Sequence, residues 1–173
     1  MADVEGALPI AERVELRNAL ANTKDEFISA LPKIELHIHI EGIITPELKW
    51  KFSQRNGQVL KHPRTGAVFS SLEDLKASHG EGGSSEGDRQ TNSEETLNFF
   101  ESYYGGFDVL KTELDYYDLA MHYFEHAAAM NIRYCELFFD PQGHHPPEDK
   151  WQTMMKGFRR AQKTAEKDLN VCA

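Results

Sequence analysis

Three features of the sequence predict an α/β chain built on a parallel sheet. Residues 33–40 alternate between polar and apolar, the pattern of a strand with two unlike faces. Residues 132–140 are so dense in apolar and aromatic side chains that they suit a strand buried on both faces of a parallel sheet. Helical patterns lie between and after these runs, as the crossovers of βαβ units require.

Taken in order, residues 9–30 read as helical, with a break near Asn22-Thr23 where Thr23 or Asp25 can cap the second piece before Pro32. The first strand follows at 33–40. Thr45 then has the character of an N-cap, with Pro46 at the first helical position, Glu47 in the first turn and Gly57 as the stop. Residues 58–70 read as a loop, and Ser71-x-x-Asp74 opens a short helix. The stretch 78–92 holds no apolar residue and is rich in Gly and Ser, so a flexible surface insertion that includes His79 is predicted there.

Ser93 opens the next helix, in which Leu97, Phe100 and Tyr104 fall at helical spacing before Gly105-Gly106. A longer helix is predicted from Lys111 to about Met130, with Thr112 and Asp115 in capping-box positions. Its core stripe is read as Leu114, Tyr117, Met121, Phe124 and Ala128. His122 and His126 stand four apart on it, but without the His-Glu-x-x-His order, and are read as surface residues. After the second strand, Pro141 to Asp149 is a loop, and Pro147 can start a helix to about Lys167 on which Arg159, Arg160 and Lys163 are solvated. A third strand is predicted to begin within residues 170–173.

Composition bounds the function. The 173 residues carry a formal net charge of −9, with 40% apolar and 27% charged residues, as in an ordinary globular domain. The acidic balance and the lack of any Lys/Arg run argue against a nucleic-acid partner. No apolar stretch approaches the length of a membrane span, and no signal-peptide core is visible. Two cysteines, Cys135 and Cys172, make neither a disulfide framework nor a Cys-x-x-Cys pair. A cytoplasmic location, with the nucleus as a second site, is the expectation.

The chemistry concentrates in Leu31-Pro32-Lys33-Ile34-Glu35-Leu36-His37-Ile38-His39-Ile40-Glu41-Gly42. In a regular strand His37 and His39 share a face with Glu35 and Glu41, while Ile34, Leu36, Ile38 and Ile40 share the other. Two imidazoles side by side at a strand end can form half of a zinc site, which takes neutral imidazole and can keep a position open for water.

This stretch, continued by Thr45-Pro46-Glu47-Leu48 and Arg55-Asn56-Gly57, resembles the opening of the adenosine/adenine deaminase family of metal-dependent aminohydrolases. A second block, from Tyr103-Tyr104 through Val109-Leu110-Lys111-Thr112-Glu113 and Asp115-Tyr116-Tyr117-Asp118-Leu119-Ala120 to Arg133-Tyr134-Cys135-Glu136-Leu137-Phe138-Phe139-Asp140-Pro141-Gln142, is similar to the same family. Glu41, and the Phe139-to-Gln142 run followed by His144, lean toward the adenine deaminase branch. The resemblance implies a (β/α)8 TIM-type barrel and a hydrolytic deamination of adenine to hypoxanthine and ammonia in purine salvage, with one zinc ion activating water. By that resemblance His37 and His39 are metal ligands, and His39, Glu41 and Gly42 contact a small purine substrate. For Glu41 the alternative is an exposed carboxylate capping the next turn. For Asp140, at the end of the second strand, it is a turn residue before Pro141. Adenosine or a modified AMP is the competing substrate. The zinc deaminases of nucleic acids use His-x-Glu with Pro-Cys-x-x-Cys, which is not found here.

A barrel of this type needs about 250 residues and at least about 200. Two of eight strands are predicted here, so the barrel is incomplete, comprising residues 28–173 after a helical segment at 1–27. The third metal histidine, the proton-relaying glutamate and the metal-binding aspartate lie downstream in relatives, so no catalytic residue is expected within the chain. The 173 residues alone are expected to be inactive, and a non-catalytic homologue acting as an interaction module is the remaining alternative. The oligomeric state is not legible.

Overall fold

The computed structural model describes residues 9–20, 23, 25–79, 97, 99–144 and 150–173. It divides into two compact units, Met1–Pro32 and Lys33–Ala173. The first unit carries α1 (Ile10–Leu20) and α2 (Glu26–Ala30). Asp25 caps α2, its carboxylate accepting from the Ile28 N–H at 2.9 Å.

The second unit is the α/β part. Strand β1 (Lys33–His39) leads through a 3-10 turn (Ile40–Ile43) into α3 (Pro46–Asn56). Thr45 caps α3 with Pro46 behind it, and Gly57 ends it at φ +61°, a left-handed conformation suited to glycine. The loop to residue 70 contains one antiparallel bridge, Lys61 to Val68. Ser71 then caps α4 (Leu72–Ser78). The Gly/Ser-rich stretch expected at 78–92 lies, from residue 80 on, outside the described residues, as do Ser93 and Pro147.

Helix α5 (Phe99–Tyr104) and a 3-10 turn (Phe107–Val109) precede α6 (Glu113–Ala129). Strand β2 (Ile132–Phe138), a 3-10 turn (Pro141–Gly143), α7 (Lys150–Thr164) and a π turn (Ala165–Leu169) follow. β2 pairs parallel with β1, and Cys172 forms a parallel bridge to Tyr134 on β2's other edge, where the third strand was expected. Among the described residues no helix is long and apolar enough to cross a membrane.

The sheet is irregular in a way the alternating pattern did not predict. Glu35 pairs with Cys135 and Ile38 with Leu137, so β1 carries one residue more than β2 in that interval. The extra residue is accommodated at His37, whose φ is +64°. A compensating extra residue in β2, between Ile132 and Tyr134, keeps Lys33 opposite Ile132 and His39 opposite Phe138. A bulge shifts the faces of a strand by one residue. Glu35 is therefore turned to α6, where it accepts from the Tyr123 hydroxyl at 2.8 Å, while Ile38 and Ile40 pack into the core. Ile34 and Leu36, expected on the same face as these two, are 68% and 58% exposed.

The core lies between the sheet and the helices, with Phe52, Leu75, Leu110, Tyr116, Leu119, Phe124, Cys135 and Met154 fully enclosed. On α6 the buried arc is Tyr116, Leu119, Ala120, Tyr123, Phe124 and Ala127. It is displaced from the expected stripe, and Leu114 is 45% exposed. The cause is that α6 meets both the sheet and α7, so its buried arc is broad. Gly157 makes the close approach to α7 possible: a Cβ there would sit 2.6 Å from the Glu113 carbonyl oxygen and 2.7 Å from the Tyr116 Cβ. Arg160 is exposed, as expected, and from the surface it lies over the Tyr117 ring and pairs with Glu113 at 2.8 Å. β2 is covered on one face only, leaving Tyr134 and Phe138 42% and 47% exposed.

Asp115 ties α3 to α6. Its side chain is buried and accepts from the Asn56 amide, the Thr112 and Lys111 N–H groups, the Thr112 hydroxyl and the Arg55 guanidinium. Burial alone pushes such a carboxyl up, but the Asn56 and Thr112 donors outweigh it and hold Asp115 below its ordinary value. Because the folded value is depressed, the stabilisation is present above the ordinary value of 3.8 and is lost as pH falls through the folded one.

This packing makes three expectations testable. Asp115→Ala leaves five donors without their acceptor and should lower unfolding free energy by about 3 kcal/mol in urea titrations. Asp115→Asn should flatten the fall in stability below pH 4 that the wild type shows. Gly157→Ala should lower stability by about 1–3 kcal/mol, despite alanine's better helix propensity, because backbone must shift to admit the methyl group. Thermal melts of the two forms would show it.

Candidate functional site

The two strands are parallel, so their C-terminal ends fall on one side, and both chemistry-bearing segments leave from there. His37 and His39 end β1, Glu41 sits in the turn after it, and Asp140 and His144 flank the turn after β2.

The histidine rings are neighbours, with centroids 5.3 Å apart and planes inclined by 34°. Phe138 of β2 packs against both, at 4.7 Å from His37 and 5.8 Å from His39. Both histidines are exposed, and His39 Nδ1 lies 3.9 Å from Asp140 Oδ2, within ion-pair range but too far for a hydrogen bond. The left-handed backbone at His37 is a conformation that His, Asn and Asp adopt more readily than other residues with a Cβ.

Asp140 is itself held. The Tyr103 hydroxyl donates to Asp140 Oδ2 at 2.7 Å. Burial, then the bond to Asp140 and the nearby carboxylates, raises the Tyr103 pKa, so it remains a donor at all ordinary pH. Gly42 lies under the same ring, 3.7 Å from Tyr103 Cε2 to the position a Cβ would take.

Glu41 is not an exposed cap. Its side chain is wholly buried, and Oε1 accepts the Asp140 backbone N–H at 2.9 Å and His144 Nε2 at 3.0 Å. Glu41 Oε2 has no hydrogen-bond partner among the described residues. The carboxylate accepts, so Nε2 carries the His144 proton and Nδ1 takes the Tyr116 hydroxyl at 3.3 Å. Burial raises the Tyr116 pKa and keeps that hydroxyl protonated. Phe107 stacks on the imidazole at 4.5 Å and 7°.

The structure thus brings His37, His39, Glu41 and Asp140 to one end of the sheet. It adds Tyr103 and Tyr116, which the sequence presented only as parts of the second family-like block, and gives His144 a partner. Glu41 and His144 are 103 positions apart, and no local pattern in one sequence announces such a pair.

Two histidine nitrogens on a tetrahedral zinc lie about 2.0–2.1 Å from it, and rings at the observed separation can converge in that way. Among the described residues no set of three or more His, Cys, Asp or Glu could hold a metal, so the two histidines fit as part of a donor set. His122 and His126 on α6 also have adjacent rings, at 4.5 Å, but His126 Nδ1 is bonded to the His122 carbonyl.

The chain is similar to known proteins in sequence and in fold. A family model described as adenosine deaminase matches residues 32–173. An adenine deaminase of Rhodospirillum rubrum is 39% identical over 145 residues, 84% of this chain and 38% of its own length. An uncharacterized deaminase of Schizosaccharomyces pombe is 38% identical over 85% of the chain and 38% of its own length. Among solved structures, the adenine deaminase of Arthrobacter aurescens superposes with a TM-score of 0.61 at 32% identity, over 83% of this chain and 38% of that one. An amidohydrolase from Burkholderia ambifaria, crystallised with bound Zn, shares the fold with a TM-score of 0.55 at 23% identity, over 99% of this chain and 39% of its own. The chain therefore spans well under half the length of the curated relatives it matches, and its two parallel strands with their helices are an incomplete portion of a TIM-type barrel. By the extent of these matches, the chain belongs to the adenosine deaminase family.

Proposed function

We propose that the full-length protein hydrolyses adenine to hypoxanthine and ammonia, with one zinc ion as cofactor. The observation that carries this reading is the pair of adjacent rings, His37 and His39, beside Asp140 at the C-terminal end of parallel strands. The names of the relatives, adenine deaminase for most, support the choice of base. When bound, zinc would supply an activated water at neutral pH.

The chain's own residues hold and orient. His37 and His39 would hold the metal, with Phe138 packed against both rings and limiting their motion. Asp140, pinned by Tyr103, places a carboxylate 3.9 Å from His39 Nδ1, from where a small shift of the ring would let it accept the Nδ1–H and orient a ligand imidazole. Glu41 Oε2 is an acceptor in a water-poor position, suited to an N–H of a purine. Gly42 keeps the backbone beside Tyr103 free of a side chain. The remaining ligands and the proton-relaying group are expected in the part of the relatives' length that this chain does not span.

Loss of ammonia from adenine and from adenosine, followed by ultraviolet absorbance on the zinc-loaded full-length protein, tests the reading. Adenine is expected to be turned over in preference; preference for the nucleoside would overturn the choice of substrate. His39→Asn should lose bound zinc and lower kcat at least about 100-fold. The 173-residue chain by itself, with two ligands, should bind zinc weakly and release no detectable ammonia. Clear turnover by that chain would refute the assignment of catalysis to residues outside it.

A further inference from the structure

We propose that His144 is the positioning residue of this end of the sheet: it fixes the Glu41 carboxylate and, through it, the Asp140 turn beside His39. The inference deepens the deaminase reading and rests on it for the identity of the substrate, but not for the geometry.

His144 is the centre of a closed set of contacts. It is 3% exposed, between Tyr116 on one nitrogen and Glu41 on the other. Phe107 stacks flat on its ring, and Gly143 allows that stack, since a Cβ at 143 would lie 2.0 Å from Phe107 Cε2. The ring is stacked on one face and bonded at both nitrogens, so its Nε2–H is aimed at Glu41 Oε1. That same oxygen takes the Asp140 N–H, which joins the end of β2 to the turn after β1. Oε1 is thereby committed twice, and Oε2 alone remains for a donor.

Packing alone does not account for this arrangement. A buried polar pair is often no more stable than apolar residues of the same volume, and an unsatisfied buried oxygen lowers stability further. What the arrangement does provide is a buried carboxylate with one oxygen anchored and the other without a hydrogen-bond partner among the described residues, at the end of the sheet that carries the two histidines.

The test compares His144→Phe, which keeps a ring to stack on Phe107 but has no N–H, with His144→Gln, which restores an N–H donor. Both are made in the zinc-loaded full-length protein. Amide hydrogen exchange is read at Asp140 and along α6, and KM and kcat are measured for adenine. In His144→Phe, Asp140 exchange should accelerate at least tenfold while α6 is unchanged. KM should rise about tenfold with kcat within threefold, and His144→Gln should recover most of both. Unchanged exchange at Asp140 overturns the proposal. So does acceleration spread through α6 without recovery by His144→Gln, the signature of a merely structural residue. If the wild type turns over no purine while the exchange pattern holds, the deaminase reading fails and the positioning of Glu41 and Asp140 by His144 stands.

Discussion

The left-handed residue in the middle of β1 is the constraint on which the rest of the unit depends. A strand that alternated strictly would send Ile38 and Ile40 to the face that carries Ile34 and Leu36. By inserting one residue at His37, β1 presents Glu35 to α6 before the bulge and isoleucines to the core after it. Both histidines are left on the uncovered side against Phe138. Bulges are rare in parallel pairs and are found next to active sites, where they re-aim side chains. Here the compensating irregularity in β2 confines the disturbance, and both ends of the two strands stay opposite each other.

Around that pivot, two polar clusters do unlike work. Asp115 is saturated: each of its oxygens has donors, and its cluster locks the end of α3 to the start of α6. Glu41 is equally buried but not saturated. A fully satisfied buried carboxylate rigidifies a fold, whereas a buried oxygen without a donor is a cost that the fold alone does not repay. The two groups differ in this way although both are carboxylates at the edges of the same core.

Much of the fold was legible because its signals are local. Asp25, Thr45, Ser71 and the Thr112–Asp115 box cap the helices they were expected to cap, and Gly57 ends α3, since each acts through atoms within a few residues. The parallel pairing followed from the alternation of element types. What failed depends on partners distant in sequence. The buried arc of α6 is set by two neighbours at once, and no single stripe encodes that. The bulge at His37 leaves no mark in an alternating run. The histidines were legible as a motif, but the bond that fixes Glu41 joins residues from opposite ends of the unit, and Tyr103 meets Asp140 across 37 positions.

The pairing of Lys33 with Ile132 and of His39 with Phe138 has a kinetic consequence. About a hundred residues must be organised before the two strands meet, and contacts of such long range are characteristically slow to form. Capped helices such as α3 and α6 can form early from local interactions, whereas β1 has no strand beside it until β2 arrives. Doubling the length of an intervening loop adds only about 0.6 kcal/mol of closure entropy, so a Gly/Ser-rich stretch within that span is tolerated. The segment that carries the histidines is thus translated about a hundred residues before the strand that becomes its partner. Until then Ile34, Leu36 and Ile38 present an unpaired apolar strand, the form of a nascent chain on which a chaperone has most to act.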